Sequence, residues 1–506
     1  MKIKGKFTPQ TKIYQKDWVA LHPLSLQSST DFYYIQLSNR ILKLLEENIA
    51  VNEFSSSLKR QFAIVAAAYF EDVISNIGVW KGFRQIHFDK YGRYLPFLET
   101  TDDYYLDEIN PEDIQFLIWS ILQFDVIENE ELRFLNIENP IISYVSLIIY
   151  EILDKEYESA PENEAFYNAV HSPRLASDFY LFREFVKWIH SKSYLSGLYP
   201  EKLINSQKEK LKNSTDDYFK KNYNAINYAI SNSMIFTSPC SPLAISSTEW
   251  FAEITTDIKV KEIAKSLEYK KTANYLIVDF DEDVIKVKQI DDQSVMLDLD
   301  ANSLESKEPF KTSNTVTCEL AYFDRKWQVN GMAAFGLVDD KNNLKQDNLK
   351  QNEIESKIHT YQTTLTKNNG SPIAFFKNAK ELATFLLKLF PDSPRDQLYP
   401  KDMKNDENIV VFTHPTLGLV MLPDMATLIK SKNNSLYNNR DASDHAISIL
   451  CGAYVCPRVL LEYLITNNLI PDAYINSLKG TEYGRKLVQK NLDFIIRFFQ
   501  PELYSL

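Results

Sequence analysis

The residues of this chain that could do acid–base chemistry crowd into one stretch, residues 60–97. Nine apolar or small residues, Phe62–Phe70, run directly into two adjacent carboxylates, Glu71 and Asp72, and His87 follows in an aromatic and basic segment. A carboxylate at the end of a buried segment needs a partner, and without one its pKa rises. Beside a histidine, such a carboxylate could act as a general acid or base. Glu71, Asp72 and His87 are therefore the candidate catalytic residues of a hydrolytic enzyme.

The same two carboxylates have a structural interpretation. Adjacent helix residues point about 100° apart, so Glu71 and Asp72 cannot both face one apolar neighbour. One of them would then form an internal ion pair with Arg60, Arg84 or Arg93 that ties helices together. Spacing along the chain does not bring the histidine near either acid, so both interpretations stay open.

A second candidate site lies in a segment whose pattern is typical of strands. Five short runs rich in β-branched and aromatic residues occur between residues 270 and 336, and two of them could meet in a turn at Asp324-Arg325. Their number and length predict a small barrel of SH3-like or OB-like size. Such barrels hold a peptide or a nucleic-acid base on exposed rings.

The aromatic and charged residues around that turn are the candidate binding residues. They are Tyr322, Phe323, Arg325 and Trp327. The alternative is that Phe323 and Trp327 belong to the barrel core.

The net charge of the chain and of this segment indicates which class of partner the site would bind. The chain carries a net charge of −12, and residues 270–336 hold twelve acids against eight bases. A negative surface repels phosphate backbones. The charge therefore disfavours nucleic acid and favours a protein partner. Nucleic-acid binding through the barrel or the basic tail Lys479–Arg497 remains an alternative.

Motifs for cofactor and metal chemistry are missing from the sequence. With 12 glycines in 506 residues, the chain has no Walker A loop and no GxGxxG, and it also lacks GxSxG and HExxH. Cys451, Cys456 and His445 have no second close ligand pair, which a structural zinc site needs. The sequence predicts neither a cofactor nor a metal.

The composition also indicates the cellular compartment of the protein. Four cysteines suit a reducing environment, the N-terminus has no apolar signal-like core, and no apolar run reaches about 20 residues. We therefore expect a cytoplasmic protein that does not enter a membrane.

The elements that must position these residues divide the chain into several domains. Asn110-Pro111, Asn139-Pro140 and Ser172-Pro173 are helix-start signals, and they predict a helical N-terminal domain over residues 1–240. After the barrel, residues 339–370 predict a polar linker or exposed helix. Residues 371–506 mix strand and helix patterns and end in helices. The predicted fold class is therefore multidomain α+β.

Several longer phrases support a family assignment. They are KDWVALHP (16–23), TDFYYIQLSNRI (30–41), AAYFEDVISNIGVW (67–80), LPF (95–97), INPEDIQFLIW (109–119) and the tail from residue 467 to 499. Together they resemble an uncharacterised protein family of Bacteroidetes bacteria, a domain of unknown function. The resemblance implies a bacterial, cytoplasmic, full-length protein and carries no activity with it.

The missing motifs and the aromatic cluster together predict a non-catalytic cytoplasmic binding or regulatory protein that acts through protein contacts. The hydrolytic enzyme and the nucleic-acid binder are the alternatives. The sequence identifies no ligand and no oligomeric state.

Overall fold

The computed structural model describes most of the chain as two compact units. It describes residues 12–128, 134–196, 209, 223–240, 242–290, 292, 294–304, 314–337, 343–391, 407–452, 456–470 and 477–504. One unit comprises Met1–Val338 with Ile496–Leu506, and the other comprises Asp339–Ile495. Helices and sheets occur together, which confirms the predicted α+β class. The predicted segments 1–240 and 270–336 both lie within the first unit.

Helices build the first unit up to its sheet. They are α1 (Gln15–Val19), α2 (Asp31–Glu47), α3 (Ser56–Ile74), α4 (Val79–Tyr91), α5 (Pro111–Glu128), α6 (Pro140–Glu156), α7 (Glu164–Val170), α8 (Phe179–Ser191), α9 (Tyr223–Thr237), α10 (Ser247–Ile254) and α11 (Ile258–Ser266). Two of the three proline signals start helices at the proline, as predicted. Ser172-Pro173 instead starts the 3-10 turn Pro173–Ala176, and the Asp178 side chain caps α8 through the amide of Leu181.

A sharp turn separates α3 from α4, so the stretch around residues 60–97 forms two helices. The axes of the two helices are bent by 86°. Gly78 makes the turn in the left-handed region, with φ of 100°. A Cβ on Gly78 would lie 3.2 Å from the carbonyl oxygen of Ile254 in α10, so backbone packs directly on backbone here. Among the described residues, no single helix has the length and hydropathy of a membrane span, and α3 with α4 passes that test only as a bent pair.

Six strands follow the helices in the described part of the first unit. They are β1 (Glu268–Phe280), β2 (Val284–Gln289), β3 (Met296–Asp300), β4 (Asn314–Phe323), β5 (Lys326–Val329) and β6 (Ala334–Leu337). Their order is β1-β2-β3-β5-β4-β6, and β1 also pairs with β4. The pairings therefore run from β1 through β2, β3, β5 and β4 back to β1. Among the described strands of this sheet, only β3 and β5 pair in parallel, through Leu299 and Trp327.

The turn between β4 and β5 contains two residues, Asp324 and Arg325. Phe323 pairs with Lys326 across it, and both turn residues have positive φ, 44° and 71°. Two such residues match the right-handed twist of the strands they connect. Tyr322 and Phe323 thereby lie next to this turn, and Tyr322 packs against the core of the sheet.

The second unit contains a three-stranded sheet with helices. Its elements are α12 (Asn343–Lys367), β7 (Ile373–Phe376), α13 (Ala379–Leu389), β8 (Ile409–His414), β9 (Gly418–Pro423), α14 (Asn439–Leu450), α15 (Arg458–Thr466), α16 (Thr481–Lys490) and α17 (Leu492–Phe499), whose last residues belong to the first unit. The strands are antiparallel in the order β7-β8-β9. The polar segment 339–370 thus supplies a helix, and α12 packs against β8 and β9.

Replacing Gly78 by alanine will destabilise the first unit more than replacing Gly92, which ends α4. Both glycines have positive φ, but a Cβ on Gly92 meets nothing within 4 Å. We expect Gly92→Ala to cost about 1 kcal/mol, the backbone term alone, and Gly78→Ala roughly 2–3 kcal/mol. Urea unfolding followed by tryptophan fluorescence checks this, because all six tryptophans lie in the first unit. Equal costs for the two variants would contradict the close approach of α4 and α10.

Candidate functional site

Asp72 holds the beginning of α4. Its Oδ1 accepts the amides of Gly78 (2.7 Å) and Val79 (3.1 Å), and its Oδ2 accepts the amide of Trp80 (2.7 Å) and the hydroxyl of Tyr194 (2.6 Å). Burial raises the pKa of Asp72, while the Tyr194 hydroxyl and the three amides oppose that rise. Two carboxylate oxygens offer about four acceptor positions, so these donors fill them.

Glu71 lies in a separate buried group on an adjacent face of α3. Its Oε2 is 2.9 Å from Nε2 of His22, and its Oε1 accepts the side-chain amide of Asn163 at 2.8 Å. The other ring nitrogen of His22 lies 3.1 Å from the carbonyl oxygen of Leu26. Both ring nitrogens therefore face acceptors, which favours the imidazolium. Burial alone would lower the pKa of His22, but Glu71 raises it above 6.5.

The expected ion pair of Glu71 is thus with a histidine and not with one of the three arginines named from the sequence. Arg60 pairs with Asp17 (2.6 Å), and Arg84 pairs with Asp113 (3.8 Å). The correct partner, His22, lies 49 residues from Glu71 in the sequence, beyond the reach of helix spacing.

His87 lies two helical turns beyond the Asp72 cap, which is about 10 Å along the axis of α4. Its Nδ1 is 2.7 Å from the carbonyl oxygen of Arg93, and burial lowers its pKa to about 4, so the ring is neutral at pH 7. His87 is not among the hydrogen-bond partners of Glu71 or Asp72. The structure therefore does not bring the three candidate catalytic residues together, and their hydrolytic role stays a prediction.

A second buried ion pair joins α4 to α5. Arg84 lies 3.8 Å from Asp113, and the hydroxyls of Tyr69 and Tyr104 each donate to Asp113 at 2.7 Å. Arg84 also donates to the Tyr104 hydroxyl and to the carbonyl oxygen of Leu106. Burial raises the pKa of Asp113, and Arg84 opposes that rise. These groups neutralise one another inside the helical core.

A cleft of about 370 Å³ opens at the start of α4. Asp72, Lys81, Arg84 and Asp107 bring two acids and two bases to its lining, whereas Glu71 and His87 do not line it. The exposed Lys81 and Asp107 are 3.5 Å apart. Each charge in this cleft has a partner within the first unit.

The four candidate binding residues differ in their surroundings. Phe323 is buried against the rings of Phe179 and Phe182, with centroids 5.5 and 5.3 Å away. Trp327 belongs to the core of the sheet and lies 5.3 Å from the half-buried Tyr322. Arg325 is exposed at the turn. The aromatic residues thus hold the hairpin in place and shape its surroundings, and a binding role for the four stays a prediction.

A larger cleft, of about 540 Å³, lies beside this hairpin. This hairpin cleft is lined by Arg174, Ser177, Asp178, Phe179, Tyr180, Asp300, Asn302, Phe323, Asp324, Lys326 and Gln328. The sequence identified one lining residue, Phe323, as a candidate binding residue. It did not identify residues 174–180, which form the other side of the cleft. The only sequence signal there was Ser172-Pro173, which indicated a helix start and carried no information about the distant hairpin.

The bases of the tail Lys479–Arg497 are partly engaged by neighbouring groups. Arg485 pairs with Glu482 at 2.9 Å, and Lys479 lies over the ring of Tyr483. Arg497 donates to the carbonyl oxygens of Leu243 and Ala244. These contacts reduce the positive charge available to a phosphate backbone.

The His22–Glu71 pair predicts a pH dependence of stability. The folded pKa of His22 exceeds its unfolded value of 6.5, so the pair's full contribution is present below pH 6.5 and is lost as the pH rises through the folded pKa. The difference in unfolding free energy between wild type and His22→Gln should therefore shrink on raising the pH from 6 to 9. Urea titrations at each pH measure it. A difference that is constant or grows with pH would contradict an imidazolium at position 22.

Removing the Asp72 carboxylate will destabilise the first unit strongly. Asp72→Ala leaves three helix amides and a buried hydroxyl without their acceptor, which should cost about 3 kcal/mol or more. The control Asp89→Ala removes an exposed carboxylate further along α4 and should change stability by less than about 0.5 kcal/mol. Urea unfolding measures both. A cost for Asp72→Ala as small as that of the control would refute its role as the cap.

Comparison with known proteins assigns the chain to a family. No curated protein and no solved structure matches it. Residues 12–345 and 335–500 match the family described as Protein of unknown function (DUF3843). These residues cover both units, in agreement with the resemblance to a domain of unknown function. The chain belongs to the DUF3843 family.

Proposed function

We propose that this protein is a non-catalytic binding or regulatory protein that acts through protein contacts, and that the hairpin cleft is its binding site. The observation that carries the proposal is a pair of cations in the cleft. Arg174 and Lys326 both line it, and neither forms an ion pair with a described residue. Two cations beside hydrogen-bonding side chains suit an acidic side chain of a partner protein.

The three acids of the cleft each have a hydrogen-bond or ion-pair partner within the protein, and Lys326 also acts electrostatically on Asp300. Asp178 caps α8, and Asp324 pairs with Lys259 at 3.2 Å. Asp300 accepts the side-chain amide of Gln328 at 3.0 Å and the backbone amide of Asn302. A carboxylate from a partner would therefore meet donors that the protein itself does not use.

An exposed ring adds apolar contact area at the rim. Tyr180 is 41% exposed and lines the same cleft as Phe323. Aromatic residues at a polar rim are typical of protein interfaces, because a large rigid ring loses little conformational entropy on binding. The cleft thus combines charge recognition with an apolar surface.

We also propose that the sheet of the first unit is the small SH3-like or OB-like barrel expected from the sequence. The pairing of β1 with both β2 and β4 supports it, since the strand pairings return to their starting point. A cytoplasmic location belongs to the same proposal and is supported by the four free thiols, which suit a reducing compartment.

Reversing the two cations should abolish partner binding. The Arg174→Glu, Lys326→Glu double variant places like charge opposite an acidic partner, so proteins that co-purify with the tagged wild-type chain should be lost. Native pull-down with mass spectrometry measures this. The control Lys43→Glu, Lys155→Glu makes the same charge change on α2 and α6 and should retain them. Retention by both variants, or no co-purifying protein with wild type, would overturn the proposal.

A further inference from the structure

A cavity of about 450 Å³ lies between α9 and strands β1 and β4 of the first unit. It shares no lining residue with the hairpin cleft. Ile226, Ile230 and Met332 supply apolar walls, and Glu319 of β4 is the acidic residue in the lining. This volume falls in the range of small-molecule sites, which are apolar with a few placed polar groups.

The Glu319 carboxylate is not neutralised. The Thr272 hydroxyl donates to its Oε1 at 3.1 Å, and the Tyr269 hydroxyl is a second neutral partner of the carboxylate. No described lysine or arginine forms an ion pair with it. Its partners are neutral hydroxyls, so a cationic ligand would supply the charge complement that the carboxylate lacks.

The titratable side chains next to the cavity do not offset the negative charge of Glu319. Ser238 lines the cavity, and His190 lies behind it with Nε2 2.9 Å from the Ser238 hydroxyl oxygen. Burial lowers the pKa of His190 to about 4, so the ring is neutral at pH 7. Tyr269 shares a hydrogen bond with Ser233 at 3.1 Å, and burial together with its hydrogen bond to Glu319 raises its pKa, so it is neutral as well. The described lining therefore carries one net negative charge.

We propose that this cavity binds a primary ammonium group carried on an unbranched aliphatic chain. The ammonium donates to Glu319 Oε1 and to the Thr272 hydroxyl oxygen, since it has three N–H donors and each acceptor oxygen keeps a free lone pair. The aliphatic chain lies against Ile226, Ile230 and Met332. Two sources share this chemistry, a free alkylamine and a lysine side chain of another protein. The site is independent of the hairpin cleft.

Ligand-observed saturation-transfer NMR on the full chain tests the proposal with n-pentylammonium chloride as the probe. We expect n-pentylammonium to bind about tenfold or more tightly than n-pentanol, which has the same chain without the charge. Glu319→Gln should weaken n-pentylammonium binding by a similar factor. The control Glu268→Gln removes an exposed carboxylate of β1 outside the cavity and should bind as wild type does.

The outcomes separate the two sources. Tighter binding of N-acetyl-lysine N-methylamide than of n-pentylammonium assigns the cavity to a lysine side chain, and the reverse order assigns it to a free amine. Either order supports the proposal. Equal binding of the amine and the alcohol, unchanged affinity in Glu319→Gln, or no saturation transfer to either amine would overturn it. Unchanged tryptophan fluorescence of Glu319→Gln shows that any loss is not due to unfolding.

Discussion

The cap that Asp72 places on α4 is the constraint on which the first unit depends. α3 ends at Ile74, and the chain must turn by 86° within four residues before α4 begins. The first amides of a helix have no partner of their own, and in the interior no water replaces one. Asp72 supplies that acceptor from the preceding helix, so the turn, the position of α4 and the place of Arg84 are fixed together.

The charges of the first unit fall into two kinds. Buried charges are compensated by near neighbours, as in the Glu71–His22 and Arg84–Asp113 pairs. A buried pair of this sort contributes little net stability, but loss of one partner is costly because the other remains buried and unpaired. These pairs therefore explain the crowding of ionisable residues around α3 and α4 without any chemistry on a substrate. Glu319, by contrast, lines an open cavity without such compensation.

The parts of the fold that can be predicted from the sequence are those that depend on residues close together in the chain. Asn139 and Pro140 start α6 because an amide side chain and a fixed φ act within a few residues. The position of the β4–β5 turn follows likewise from two polar residues between apolar runs. The partner of Glu71 could not be predicted, because His22 and Asn163 are 49 and 92 residues away and meet only through tertiary packing. The sequence of one chain does not show which residues, so far apart in the sequence, come into contact in the fold.

The same reasoning applies to the hairpin cleft. Arg174 and Lys326 belong to segments about 150 residues apart, and each is an ordinary surface cation by itself. Arg174 and Lys326 line one cleft because Phe323 packs between Phe179 and Phe182. This packing brings the hairpin beside residues 174–180. The aromatic cluster found in the sequence thus positions the charged residues of the cleft.

The overall charge constrains how each site can work. With a net charge of −12, the protein repels acidic partners at long range, yet this field decays within about 8 Å at physiological ionic strength. The proposed recognition of an acidic side chain by Arg174 and Lys326 would therefore be a contact interaction, which orients a partner and does not steer it. For Glu319 the net charge acts in the other direction, because the negatively charged protein attracts the cation that this carboxylate would bind. The two sites accordingly favour partners of opposite charge.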